Sequence, residues 1–152
     1  MSEKKPVPVH LSVQRAYEGP IRMPADSTIR RWVKAAAMRP TTLAVRFVDT
    51  DEGYELNSTY RHKDYATNVL TFPYTTEPEV EADVVICIPV VERQAREQRK
   101  VYYHHLAHML VHATLHAHGY DHETDEEAEE MEAIEKKVMA SLHCPDPYQD
   151  AD

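Results

Sequence analysis

At 152 residues and 42% hydrophobic content, the chain amounts to one domain, long enough to bury roughly two-thirds of its unfolded surface around a single core. No apolar run approaches the roughly 20 residues of a membrane span, and Met1 to Pro8 is charged and proline-bearing rather than signal-like, which predicts a soluble, intracellular protein. The formal charge of −9 argues against a nucleic-acid partner until its distribution is considered: nine acids and no Lys or Arg fall between Asp121 and Glu135, and the remainder balances 17 basic against 17 acidic residues.

That remainder can present local basic patches such as Arg93, Arg96, Arg99 and Lys100, although the same charges also suit a solvated helix face. Cys87, in an apolar run, and Cys144, near the tail, do not form a disulfide framework. In chain order, Val7 to Arg15 alternates Val7, Val9, Leu11 and Val13 against more polar neighbours, the period of a half-buried strand, and Pro6 and Pro8 place its start at a sheet edge. Asp26 or Ser27 can cap a helix to about Met38 that buries Ile29, Trp32, Val33 and Ala36. Thr42 to Val48 reads as a second strand, and Thr50 or Asp51 opens a short helix to Tyr60. A polar, donor-rich loop, Tyr60 to Asn68, precedes the strand Val69 to Pro73. A linker bearing Pro78 and acids leads to Asp83 to Val90, a continuous apolar run that fits a strand buried on both faces. Helices are then expected from Val90 to about Arg99, from Val101 to His118, and from Thr124 to about Leu142. The last has Thr124 and Glu127 as a capping box and buries Ala128, Met131, Ile134, Val138 and Met139.

Four strands and about five helices, with the two longest helices last, predict an α+β domain in which helices pack on a sheet. It should span residues 1–142 and be followed by a mobile acidic tail, 143–152. Strand order cannot be read from this pattern.

The chemistry is concentrated in His112-Ala-Thr-Leu-His116-Ala-His118-Gly119-Tyr-Asp-His122. His112 and His116 are four apart and so lie one turn apart on one helix face. Gly119 ends the helix in a conformation that costs glycine nothing and turns the chain back, bringing His122 toward the other two. Three neutral imidazoles with a fourth position open make a catalytic rather than a structural zinc site. His104, His105, His108 and His118 are assigned to the surface or to packing. In zincin and metzincin peptidases a glutamate follows the first histidine and serves as general base, and here that position is Ala113, so the usual route of peptide hydrolysis is excluded. Asp121 either orients a ligand histidine or caps the turn, and the acidic run is a helix start and a solvated face.

The run H-A-T-L-H-A-H-G-Y-D-H-E-T-D-E-E-A-E-E-M, the upstream Y-R-H-K-D-Y-A-T-N-V-L-T-F-P and the D-V-V-I-C strand resemble the YbeY family of bacterial zinc-dependent endoribonucleases over roughly residues 5 to 142. The resemblance implies one zinc on His112, His116 and His122, with these and Arg61 as the catalytic set. It also implies single-stranded and ribosomal RNA as substrate, maturation of the small-subunit 3′ end, ribosome quality control, and the small subunit with its assembly factors as partners, without DNA. The chain departs from the family pattern at Ala113, where glycine is usual, and at Ala117-His118, where Leu-Leu is usual. An open zinc position activates water or polarises a phosphoryl oxygen, and Arg61 is the residue to stabilise phosphate charge. The alternatives are a ribosome-associated RNA-binding module in which Asp121 or His108 closes a structural zinc, and a hydrolase acting on other substrates.

Overall fold

The computed structural model describes residues 6–61 and 67–149, Arg61 by its backbone alone. The elements run β1 (Val9–Arg15), α1 (Asp26–Ala36), β2 (Thr41–Val48), α2 (Thr50–Arg61), β3 (Val69–Thr75), β4 (Val80–Cys87), α3 (Ile88–Glu97), α4 (Tyr102–Ala117) and α5 (Asp125–Ser141). The sheet order is β1-β2-β4-β3, with β1/β2 and β2/β4 parallel and β3/β4 antiparallel. This is the expected single α+β domain, and β1 lies at an edge as Pro6 and Pro8 indicated. Pro73 stands on the other edge strand, beside a register shift, where a missing donor is tolerated.

Side-chain alternation divides the core between the two faces of the sheet. Leu43, Val45, Phe47, Val80, Ala82, Val84 and Ile86 join Ile29, Trp32 and Val33 of α1, Leu106, Leu110 and Leu115 of α4, and Met131 and Met139 of α5 in the main cluster. Val85 and Cys87, pointing the other way along β4, form a smaller cluster with Val48, Leu70 and Val90, flanked by Leu56 and Phe72. The two-sided burial expected of the Asp83 run is therefore real, but its limits differ. The strand takes in Val80, Glu81 and Ala82 from the expected linker and ends at Cys87, because Pro89 falls in the first turn of α3, where its missing N–H costs nothing.

Capping follows the expectation at one helix and departs from it at another. Thr124 Oγ1 accepts from Glu127 N at 3.1 Å, but α1 has Ala25 at its N-cap with no side-chain bond. Helix α2 opens at Thr50 as expected, with the carboxylate of Asp49 accepting from Thr50 N at 2.7 Å. Of the expected basic patch, Arg93 and Arg96 form a paired face of α3, Arg93 meeting Glu97 and Arg96 meeting Glu92 at i,i+4 spacing, while Arg99 and Lys100 lie beyond the helix. Among the described residues no helix is long and apolar enough to cross a membrane.

Helix α4 packs against α1, α3, α5, β3 and β4. Leu106, Ala107, Leu110, Val111, Ala113, Leu115 and Ala117 are fully buried, while His112 and His116 are half-buried.

Candidate metal centre

The end of α4 is built to return the chain. Gly119 takes φ +106°, a backbone conformation that L side chains rarely adopt. Its N–H donates to His116 O at 3.0 Å, and the next N–H, of Tyr120, reaches back to Leu115 O at 3.2 Å. This pair of bonds is a Schellman motif. The turn is completed by Asp121, whose Oδ1 accepts from His122 N at 2.8 Å. Of the two roles open to Asp121 in the sequence, the structure gives it the cap, on the backbone of His122.

The result is a cluster of three imidazoles. Ring centroids are 6.4 Å apart for His112 and His116, 5.7 Å for His112 and His122, and 6.3 Å for His116 and His122. Tetrahedral zinc with Zn–N near 2.0–2.1 Å would set such centroids about 5 Å apart. The rings thus stand about an ångström wide of a closed site, and as they lie no three His, Cys, Asp or Glu among the described residues are near enough to grip an ion.

The donor chemistry nevertheless suits a zinc ion. His116 Nδ1 bonds Tyr120 O at 2.9 Å; a carbonyl only accepts, so Nδ1 carries the proton and Nε2 keeps the lone pair. His112 Nδ1 is engaged by Glu135 Oε2 at 3.2 Å, with the same consequence. His122 is exposed and forms the solvent side of the cluster.

Glu135 is the functional-looking residue that the sequence reading placed wrongly. Counted there with a solvated acidic face, it is 1% exposed, whereas Glu123, Asp125, Glu126, Glu129 and Glu130 are indeed exposed. It receives His108 Nε2 at 2.6 Å and the Tyr148 hydroxyl at 2.6 Å in addition to His112. Burial alone would raise its pKa, but the hydrogen bonds from His108, His112 and Tyr148 prevail and hold the carboxyl down to about 2. Its place one turn beyond Met131 and three before Val138, on the apolar stripe of α5, was the signal available in the sequence.

Of the histidines assigned to the surface or to packing, His105, His108 and His118 are buried and His104 is half-buried. His118 is 6% exposed; its Nδ1 donates to Thr114 O at 2.8 Å and its Nε2 accepts from Met38 N at 3.0 Å, while its carbonyl accepts from Arg39 Nη2 at 2.7 Å. A polar residue at this position therefore ties α4 to the end of α1. His105 is buried against Gln94 Oε1 at 3.1 Å, and desolvation pulls its pKa to about 4. Residues 143–149, expected as a mobile tail, lie along α4: the Tyr148 ring stands edge-on to His108 at 5.4 Å, and Lys100 Nζ donates to Pro147 O. A cavity of about 230 Å³ between this segment and His104, His105 and His108 does not include the triad. Arg61 is the last residue of α2; residues 62–66, the middle of the segment expected as a donor-rich loop, lie outside the described residues.

Ala113 is 0% exposed and belongs to the main core. A glutamate there would enter apolar packing rather than reach the triad, so Ala113→Glu gains no peptidase base. We expect it to cost several kcal/mol, as a buried unpaired carboxyl does. Thermal unfolding of the variant at or near the parental midpoint would contradict this placement.

The model of the family described as Endoribonuclease YbeY matches residues 18–143. A protein of that name from Pseudomonas entomophila is 49% identical over 150 residues, covering 93% of this chain and 94% of its own. One from Paraburkholderia phytofirmans is 58% identical over 125 residues, covering 81% and 82%. Among solved structures, the solution structure of a Thermotoga maritima protein superposes with a TM-score of 0.54 at 27% identity, over 90% of this chain and 99% of that one. With the match running from β1's end through the triad to the end of α5, the chain belongs to the YbeY family of endoribonucleases.

Proposed function

We propose that the protein is a zinc-dependent endoribonuclease that cuts single-stranded RNA in the cytoplasm. We assign it to the maturation of ribosomal RNA at the small-subunit 3′ end and to ribosome quality control, with the small subunit and its assembly factors as partners. The observation that carries the reading is the convergence of His112, His116 and His122, two of them held through Nδ1 so that Nε2 is the lone-pair nitrogen. One zinc on these three would supply Lewis-acid activation of water or of a phosphoryl oxygen.

The chain's own groups divide the remaining work. His122, exposed, leaves the open side of the cluster accessible to an extended strand. Arg61 offers a planar fork of donors to the phosphate oxygens, where charge grows as the phosphodiester is attacked. Ala113, buried, contributes no base. The rival reading, a structural zinc closed by a fourth protein donor, is disfavoured by the two residues that could supply it. His108 Nε2 is taken by Glu135, and Asp121 caps the backbone of His122.

The test uses the purified full chain on an unstructured RNA oligonucleotide, its duplex, and peptide and ester substrates. Single strands should be cut and duplex, peptide and ester left intact; a chelator should abolish cutting, and added zinc should restore it. Turnover of peptide or ester with RNA left whole would overturn the reading, as would cleavage indifferent to the chelator.

A further inference from the structure

A buried carboxylate stands behind one ligand histidine, and part of what holds it comes from the C-terminal segment. Glu135 Oε2 accepts from His112 Nδ1 at 3.2 Å and from His108 Nε2 at 2.6 Å, and its Oε1 accepts from the Tyr148 hydroxyl at 2.6 Å. We propose that Glu135 is the positioning residue of His112, and that Tyr148, by holding Glu135, makes the segment after α5 a working part of the metal centre. The inference rests on the zinc reading of the triad given above.

Three features support it. A carboxylate has lone pairs and no proton to give, so the nitrogen of His112 that meets it must be the donor. That fixes one tautomer, with the Nε2 lone pair left for the ion, and fixes the ring's rotation as well. Next, packing alone does not call for an acid here. The neighbours of Glu135 on the same stripe of α5 are Met131, Val138 and Met139, all buried, and an apolar residue of similar volume would fill the place without a charge to desolvate. Finally, the donors come from two separate parts of the chain, two from α4 and one from residue 148. Tyr148 is 42% exposed, yet its ring lies edge-on to His108 and its hydroxyl points inward to Glu135. A residue that served only to finish the surface would have no need of that bond.

Glu135→Met separates positioning from packing, because methionine keeps the volume and removes the acceptor. Tyr148→Phe removes one hydroxyl from a half-exposed site and leaves the fold intact. Each full-length protein, labelled with ¹⁵N-histidine, is examined metal-free by two-bond ¹H–¹⁵N spectra, and its zinc affinity is measured by competition with a chelator. In the parent, His112 should appear as a single tautomer protonated at Nδ1. In Glu135→Met it should become a mixture, and zinc affinity should fall about 10- to 100-fold, the usual effect of losing such a partner. Tyr148→Phe should weaken zinc binding about fivefold, the worth of one hydrogen bond.

Parental affinity together with an unchanged His112 tautomer in both variants would overturn the proposal. Should Glu135→Met fail to fold, the same result in Tyr148→Phe alone would overturn the part given to the C-terminal segment, and a parent without a fixed Nδ1–H on His112 would overturn the part given to Glu135. A parent that takes up no zinc while its His112 stays fixed would instead remove the zinc reading and leave the hold of Glu135 on the ring standing.

Discussion

Replacing His116 by alanine is expected to strip the purified protein of its zinc and to lower cleavage of single-stranded RNA by more than about a hundredfold. The bound is set by the loss that follows from disturbing a ligand's supporting partner, about 10- to 100-fold; removing a ligand outright must exceed it. His116 lies in the last turn of α4, half-buried, with its Nδ1 on Tyr120 O. Alanine at that position keeps the helix and forfeits one hydrogen bond, worth about 1 kcal/mol. For a chain of this size that lowers the unfolding midpoint by about 2–4 °C, so metal-free parent and variant should unfold within a few degrees of each other. Elemental analysis and an RNA cleavage assay on the same preparations check the claim. A variant as rich in zinc as the parent would remove His116 from the ligand set.

Arg61→Ala is expected to leave zinc content and thermal unfolding nearly unchanged while cleavage falls about a hundredfold or more, the scale seen when one donor to a transition state is removed. Arg61 ends α2, ahead of residues 62–66 and the strand β3, and stands outside any apolar periodicity of the sequence. Substitution at such a position ordinarily costs within about 0.5 kcal/mol. Arg61→Lys should recover part of the rate, because it returns the charge without the two-pronged geometry. An Arg61→Ala protein that cuts RNA at the parental rate would refute the role, and one that unfolds early would make the arginine structural. The two variants separate binding of the ion from handling of the phosphate: His116→Ala should lose both metal and rate, Arg61→Ala the rate alone.

Much of this protein was legible from local pattern. The helix period placed His112 and His116 on one face, and Gly119 signalled both the end of α4 and the turn that carries His122 back, with φ +106° and the two bonds of a Schellman motif in the structure. Thr124 and Glu127 marked the start of α5. The alternation of Val9, Leu11 and Val13 after Pro6 and Pro8 marked an edge strand. Each of these depends on residues within one or two turns of each other, so the sequence by itself carries the information.

Other features depend on contacts between distant segments, and periodicity cannot show those. The order β1-β2-β4-β3, with β3 reversed on the outer edge, is one. The shift of β4 toward Val80 is another: pairing of Thr41 with Val80 extends the strand into residues whose acidic neighbours read as a linker. Glu135 shows the limit most plainly. In the sequence it is the ninth acid of a run, set apart from those that face water only by its spacing from Met131 and Val138. It is buried because α5 packs on α4 with that position facing inward, and it stays charged because His108 and His112, some two dozen residues earlier, and Tyr148, beyond the helix, supply the donors that offset its desolvation. A buried carboxylate is tolerable only where partners are brought to it, and bringing them is the work of the tertiary fold.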